Sequence, residues 1–169
     1  MKSEDRSIQI EAMTELIRRG DKSAVEELGK RLAQLEHHTH SREGWGTEEM
    51  EAQDMCELVV ELRIKDVESA VRRAGLNECE QVRRPIAGAL AALGDRHALG
   101  MLRKFASRGV ALDRAASIKM LASVGDRDSL PFLRKALDDS EPWIREAAQD
   151  AIAHMEKENP TQASRVLQK

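Results

Sequence analysis

The sequence predicts an all-α fold, a solenoid of stacked helical hairpins (an α-α superhelix), and three observations carry this prediction. First, LGDRHALGMLRKFA at Leu93 is repeated as VGDRDSLPFLRKAL at Val124, 31 residues later. Such a fixed period indicates a repeat array. Second, apolar residues recur within each copy at helical spacing. Third, 34% of the residues are charged and 2% are aromatic, a composition that suits helix packing better than a β sandwich.

Each repeat unit is predicted to be two antiparallel helices joined by a Gly-Asp turn. Val82, Ile86 and other apolar residues form the stripe of the first helix. Gly94 ends that helix, because glycine adopts the left-handed conformation without a Cβ clash. Asp95 is then an N-cap candidate for the second helix. One such hairpin cannot bury its apolar face alone, so the units are expected to stack.

The same 31-residue offset extends before the turns and predicts which residues are structural. Leu121 is in phase with Leu90, and we expect it in the core. An arginine also recurs once per unit at a helix start, and we expect it to bond turn carboxylates such as Asp95 or Asp126. The three arginines are Arg83, Arg114 and Arg145.

Two sequence runs resemble a known family. The first motif occurs twice, as ALAALGD at residues 89–95 and as MLASVGD at residues 120–126. The second motif is WIREAA at residues 143–148. Both are similar to HEAT-like repeats typified by phycobilisome lyase subunits. The resemblance implies an α-solenoid and no single activity, because function lies on the surface of such folds.

We expect one domain over the 169 residues, of the size that buries a sizeable core. Pro85 is expected in the first turn of its helix, where no amide hydrogen is needed, and Trp143 in the core or between repeats. The expected segments are a divergent first hairpin at 1–36, an inserted loop at 37–47, stacked hairpins at 48–158 and a cap helix or tail at 159–169.

Composition and local motifs argue against several function classes. No run approaches the ~20 apolar residues of a membrane span, and the amino terminus lacks the apolar stretch of a signal peptide. A cytoplasmic chain with Cys56 and Cys79 reduced is therefore expected. No nucleophile-base constellation or glycine-rich phosphate loop is present, so neither catalysis nor a cofactor is predicted. Net charge is −6 over residues 1–66 and +3 over 67–169.

The loop offers two candidate sites. His37, His38 and His40 are a possible set of metal ligands, but adjacent side chains in an extended loop point apart, and a solvated loop is the preferred interpretation. Trp45 lies between two glycines. It is a candidate partner anchor, because tryptophan is enriched at binding hot spots; the alternative is packing back onto the solenoid.

Pairs of basic residues recur at one position per repeat and form the third candidate site. Stacked repeats would align them into a basic ridge for an acidic partner or for phosphates; the alternative is that they complement helix dipoles. We expect a non-catalytic scaffold that binds a protein or peptide. The alternatives are an accessory or lyase subunit for a chromophore-bearing protein, and nucleic-acid binding, which the scarcity of aromatics disfavours. The pairs are Arg72-Arg73, Arg103-Lys104 and Arg134-Lys135.

Overall fold

The computed structural model describes residues 2–37, 47–108 and 110–157, and helices dominate these ranges. The described part contains nine α-helices, three short 3-10 turns and no strand, which confirms the all-α prediction. The helices are α1 (Lys2–Arg18), α2 (Lys22–Gln34), α3 (Thr47–Leu62), α4 (Glu68–Ala74), α5 (Glu80–Ala92), α6 (Arg96–Ser107), α7 (Ala111–Val124), α8 (Leu130–Ala136) and α9 (Pro142–Lys157).

Glycines in the left-handed region separate the paired helices, as the turn chemistry predicts. Gly94 has a φ of 102° and Gly125 a φ of 79°. After α5, the Gly94 amide donates to the Ala91 carbonyl at 3.0 Å and the Asp95 amide to the Leu90 carbonyl at 2.9 Å. These two bonds satisfy carbonyls that a helix end would otherwise leave free, and they reverse the chain.

Arg63 forms the same kind of turn without a glycine. It lies 31 residues before Gly94, and it is the only non-glycine residue with positive φ in the described part, at 53°. Its guanidinium Nη1 donates to the Ala92 carbonyl at 2.7 Å, at the carboxyl end of α5. The repeat period therefore continues back to residue 63, although the Gly-Asp signature does not.

The chain divides into two compact units, residues 1–99 and 100–169, with the boundary inside α6. In the first unit, α3 packs against both α1 and α5, and α2 packs against α4. Within this unit, odd-numbered and even-numbered helices thus form two layers, as stacked hairpins require. In the second unit, α9 packs against α7 and α8.

Each unit has its own buried core. Leu28, Leu32 and Val59 lie fully inside the first unit. Leu121 in the second unit has no exposed surface, which confirms the repeat phase used to predict it. Other large side chains buried in that unit are Leu102, Ile118, Leu133 and Ile144.

Two expectations were wrong. Pro85 lies inside α5 and not in its first turn, because the helix begins at Glu80, before the apolar stripe used to place it. Trp143 is 64% exposed and not packed in a core. It precedes Ile144, which takes the buried position of the helix's first turn. No described helix is both long and apolar enough to cross a membrane.

Candidate functional site

Arg103, one of the basic residues predicted to contact a partner, is held by a carboxylate of its own chain. Its Nε lies 2.7 Å from Asp126 Oδ2 and its Nη2 lies 2.6 Å from Asp126 Oδ1. Two parallel bonds between a guanidinium and a carboxylate fix both groups in one plane. Arg72 makes the corresponding contact one repeat earlier, with Nη1 2.7 Å from Asp95 Oδ2.

The Arg103–Asp126 pair is the more enclosed of the two. The Asp126 side chain is 4% exposed and also accepts a hydrogen bond from the Ser129 hydroxyl. Burial acts to raise the pKa of Asp126, but the hydrogen bonds from Arg103 and Ser129 and the positive charge of Arg103 outweigh it and lower the pKa. The carboxylate therefore stays ionised and tied to Arg103.

Asp95 has a different role in its turn. Its Oδ1 accepts from the backbone amides of His97 at 2.9 Å and Ala98 at 3.0 Å, so it caps α6 as predicted. The Ala98 amide is the main cause that lowers the pKa of Asp95, and Arg72 adds to it. Arg72 is the weaker partner because its side chain is 52% exposed.

Two of the three arginines that recur at helix starts bond partners other than Asp95 and Asp126. Arg114 pairs with Asp139, whose Oδ2 lies 2.7 Å from its Nη1. Arg145 donates to the backbone carbonyls of Asp139 and Ser140 at 2.8 and 2.9 Å. The carboxylates of Asp95 and Asp126 are instead taken by Arg72 and Arg103, because these point from the preceding hairpin toward the turn.

The remaining predicted basic residues are more accessible. Arg73 is 63% exposed and contacts Glu36 at 3.1 Å. Lys104, Arg134 and Lys135 are exposed, and within the described ranges none of them forms an ion pair. All three lie in the last turns of their helices, where a cation is favoured by the helix dipole.

The loop candidates fall mostly outside the described residues. His38, His40 and Trp45 lie there, and His37 is exposed at the end of a short 3-10 turn. Within the described ranges, no three His, Cys, Asp or Glu side chains are placed to hold a metal ion.

Both cysteines are free thiols in the structure. Cys56 is buried in α3, and burial raises the pKa of its thiol, with a smaller effect from Glu57. A thiol that stays protonated is a poor nucleophile and a poor metal ligand. Cys56 is therefore a core residue.

An apolar surface was missed by the sequence analysis. Val110, Leu112 and Trp143, here called the outer apolar patch, are 65%, 64% and 64% exposed. Leu112 and Trp143 are 31 residues apart, so they occupy the same position in successive repeats, at the starts of α7 and α9, which pack together. The sequence could have predicted this exposure. Trp143 falls outside the apolar stripe that α9 buries, and the 31-residue offset then places Leu112 at the equivalent exposed position of α7.

Comparison with known families agrees with this repeat geometry. A family model described as HEAT repeats matches residues 74–153 and 111–168. The chain belongs to the HEAT-repeat family. No curated protein and no solved structure gives a significant match to this HEAT-repeat chain.

Proposed function

We propose that this HEAT-repeat chain is a protein-interaction scaffold and that the outer apolar patch is its main contact surface. The observation that carries the proposal is the exposure of Leu112 and Trp143 at the same repeat position on two packed helices. Exposed apolar patches mark interaction sites, and tryptophan is enriched among the residues that dominate binding energy.

The charges beside the patch favour a partner segment that carries both apolar and acidic residues. Arg134 and Lys135 end α8, and Trp143 is the second residue of α9, which follows after a short connection. The carboxyl end of α8 and the amino end of α9 therefore lie at the same end of the second unit. An acidic amphipathic segment fits this arrangement, with apolar side chains on the patch and carboxylates toward the basic residues.

The other predicted contact residues remain part of the proposal. Arg73 and Lys104 are accessible enough to contact an acidic partner. Trp45 is proposed as a second anchor, in the inserted loop. Arg72 and Arg103 contribute to binding indirectly, because their ion pairs with Asp95 and Asp126 stabilise the packing of successive hairpins.

Two alternatives have less support. Nucleic-acid binding along the basic ridge has less support because the charges of Arg72 and Arg103 are already paired with Asp95 and Asp126. The accessory-subunit alternative rests on the resemblance to lyase-type repeats. Most of the residues that carry this resemblance, among them Gly94, Leu121 and Ile144, build the hairpin turns and helix cores, so they support the architecture and not the activity. Co-expression with a bilin carrier protein tests it, since a coloured product would support that role.

The experiment compares affinity capture by the wild type and by surface variants, with quantitative mass spectrometry. A double variant, Leu112→Ser with Trp143→Ser, removes two of the three apolar side chains of the patch without touching a buried residue. Losing one hot-spot tryptophan costs about 2 kcal/mol or more of binding energy, or roughly 30-fold in affinity.

Leu76→Ser is the matched control, because Leu76 is 71% exposed and lies in the first unit. We expect partners that are recovered with the wild type and the control and lost with the double variant. Equal recovery by all three proteins would show that the patch is not the contact surface.

A further inference from the structure

Helix α1 carries apolar residues on two faces, and only one of these faces is covered by other described residues. The covered face holds Met13, which is buried, and Ile10 and Ile17, which pack against the core of the first unit. On the other face, Ile8 is 62% exposed and Leu16 is 44% exposed. An exposed apolar surface of this kind marks an interaction site. The residues of this second face, here called the α1 stripe, are Ile8, Ala12 and Leu16.

The α1 stripe is symmetric about Ala12. Ile8 lies four residues before Ala12 and Leu16 four residues after it, whereas Asp5 lies seven residues before and Arg19 seven residues after. Positions four and seven residues apart share one side of an α-helix. Along this side the sequence therefore runs from an acid through an apolar, a small and an apolar residue to a base.

Arg19 keeps the helical register although α1 ends one residue before it. The Arg19 amide donates to the Glu15 carbonyl at 3.1 Å. The Arg19 side chain is 71% exposed, and its Nε donates to Glu15 Oε1 at 2.8 Å. A guanidinium has five N–H donors, so this contact leaves donors for a second carboxylate.

This order of residues is complementary to itself when two helices run in opposite directions. A twofold axis at Ala12 places Ile8 of one copy beside Leu16 of the other, and Asp5 of one copy beside Arg19 of the other. The small side chain of Ala12 allows the two helices to approach closely at the axis. Parallel copies would instead bring together two acids at one end and two bases at the other, and like charges repel.

A head-to-tail contact between α1 of one molecule and α9 of another fits less well. Burying an apolar stripe is favourable, but covering charged side chains without a partner costs free energy. Beyond the first turn of α9, the exposed residues are polar or charged apart from one alanine: Glu146, Gln149, Asp150, Ala153, His154, Glu156 and Lys157. The α1 stripe is therefore a better match for a second copy of itself.

We propose that the α1 stripe is a homodimer interface, in which two copies of the chain pair antiparallel through Ile8, Ala12 and Leu16, with Asp5 of each copy beside Arg19 of the other. This goes beyond the scaffold function, because it assigns a second surface and a second kind of partner. A dimer presents two outer apolar patches. A partner with two binding segments is then held more tightly than by one copy, because the second contact becomes intramolecular.

The first test is sedimentation equilibrium of the full chain over a wide range of protein concentration. We expect a weak dimer with a Kd on the order of 10 to 100 μM, because a single helix pair buries less than the ~1,600 Å² of a standard interface. Ile8→Ser should raise the Kd about tenfold or more, since twofold symmetry removes the side chain from both halves of the interface. Leu76→Ser is the matched control, because Leu76 is also a highly exposed apolar residue of the first unit. Its Kd should equal that of the wild type.

The second test exchanges the charges at the two ends of the stripe. Arg19→Glu alone and Asp5→Arg alone should each raise the Kd roughly threefold or more, because each places like charges opposite one another. The double variant, Asp5→Arg with Arg19→Glu, should return the Kd close to the wild-type value. Each single change also opposes the helix dipole, and the double variant carries both changes, so this recovery can come only from pairing between copies.

The third test places a cysteine on the proposed axis. In a Cys79→Ser background, Ala12→Cys should form a disulfide-linked dimer with oxidised glutathione, because the axis brings the two thiols together. Lys30→Cys, at an exposed position of α2, is the matched control and should form clearly less of it. Thermal melts at low protein concentration should show that all these variants fold, since each substituted position of known burial other than Cys79 is exposed.

Four outcomes would overturn the proposal. A chain that stays monomeric at every concentration would show that the stripe does not bind a second copy. Growth beyond the dimer would indicate a head-to-tail contact. Dissociation of the dimer by Leu112→Ser with Trp143→Ser would place the interface on the outer apolar patch. Failure of the double charge variant to recover would exclude the antiparallel register. Loss of partner capture through the outer apolar patch changes none of these readouts, so the two proposals fail separately.

Discussion

The turns at Gly94-Asp95 and Gly125-Asp126 have the same sequence signature and the same pair of backbone hydrogen bonds, yet the side chains of their aspartates bind different groups. Asp95 accepts two backbone amides of α6 and a single bond from an arginine that is half exposed. Asp126 is almost fully buried and binds Arg103 through both of its oxygens, together with the Ser129 hydroxyl.

One substitution between the repeats accounts for much of this difference. Ser129 stands where the preceding repeat has Ala98. Its hydroxyl binds the Asp126 carboxylate, and the chain passes through a short 3-10 turn, Arg127–Ser129, before α8 begins. With alanine in that place, Asp95 bonds the helix amides directly. The two repeats therefore share the fold of the turn, but the side chains of the turn contribute different amounts to stability.

The largest effect is expected from the leucines whose carbonyls receive the aspartate amides. Leu121 is fully buried, whereas the matching Leu90 is only partly buried. Leu121→Ala should lower the free energy of unfolding by about 3–5 kcal/mol, since a buried cavity is left. Leu90→Ala should cost clearly less. Urea denaturation of both variants measures the difference, and equal losses would show that the two repeats are packed alike.

Asp126→Asn should have the next largest effect, because it leaves Arg103 beside a buried neutral group. We expect a loss of about 2 kcal/mol at pH 7, less than for fully buried pairs because Arg103 is 39% exposed. The pKa of Asp126 is lowered in the fold, so its stabilisation is present above the unfolded-state pKa, about 3.9, and is lost as pH falls through the folded-state value.

The difference in unfolding free energy between wild type and Asp126→Asn should therefore shrink below about pH 4. Ser129→Ala keeps the carboxylate and removes only one of the bonds that lower its pKa, so its difference from the wild type should be smaller and should depend less on pH. A difference that is constant from pH 7 to pH 2.5 would mean that the ionised carboxylate contributes nothing.

The smallest effect is expected in the first of the two turns. Asp95→Ala should cost about 1 kcal/mol, mainly through the lost N-cap of α6. Arg72→Gln should change stability less than Asp95→Ala, because Arg72 is exposed and the cap remains. Thermal melts in low and high salt separate the two contributions. If Arg72→Gln proves as costly as Asp95→Ala, the ion pair and not the cap stabilises this turn.

Local signals in the sequence were sufficient to determine the repeat, its turns and its core phase. Glycine at positive φ, an aspartate after it and apolar residues at helical spacing act within a few residues of one another, so Gly94, Asp95 and Leu121 were placed correctly. The HEAT-repeat membership follows from the same local features.

Tertiary structure alone decided which side chains meet. Arg103 and Asp126 are 23 residues apart and contact because helices of successive hairpins pack, so the 31-residue repeat offset alone gave the wrong arginines as candidate partners of Asp126. Exposure of Trp143 likewise depends on how α9 turns its apolar stripe toward α7 and α8. Residue types and spacing determine each hairpin, but the rotation and offset between packed elements determine the ion pairs and the exposed apolar surface, and these depend on contacts distant in sequence.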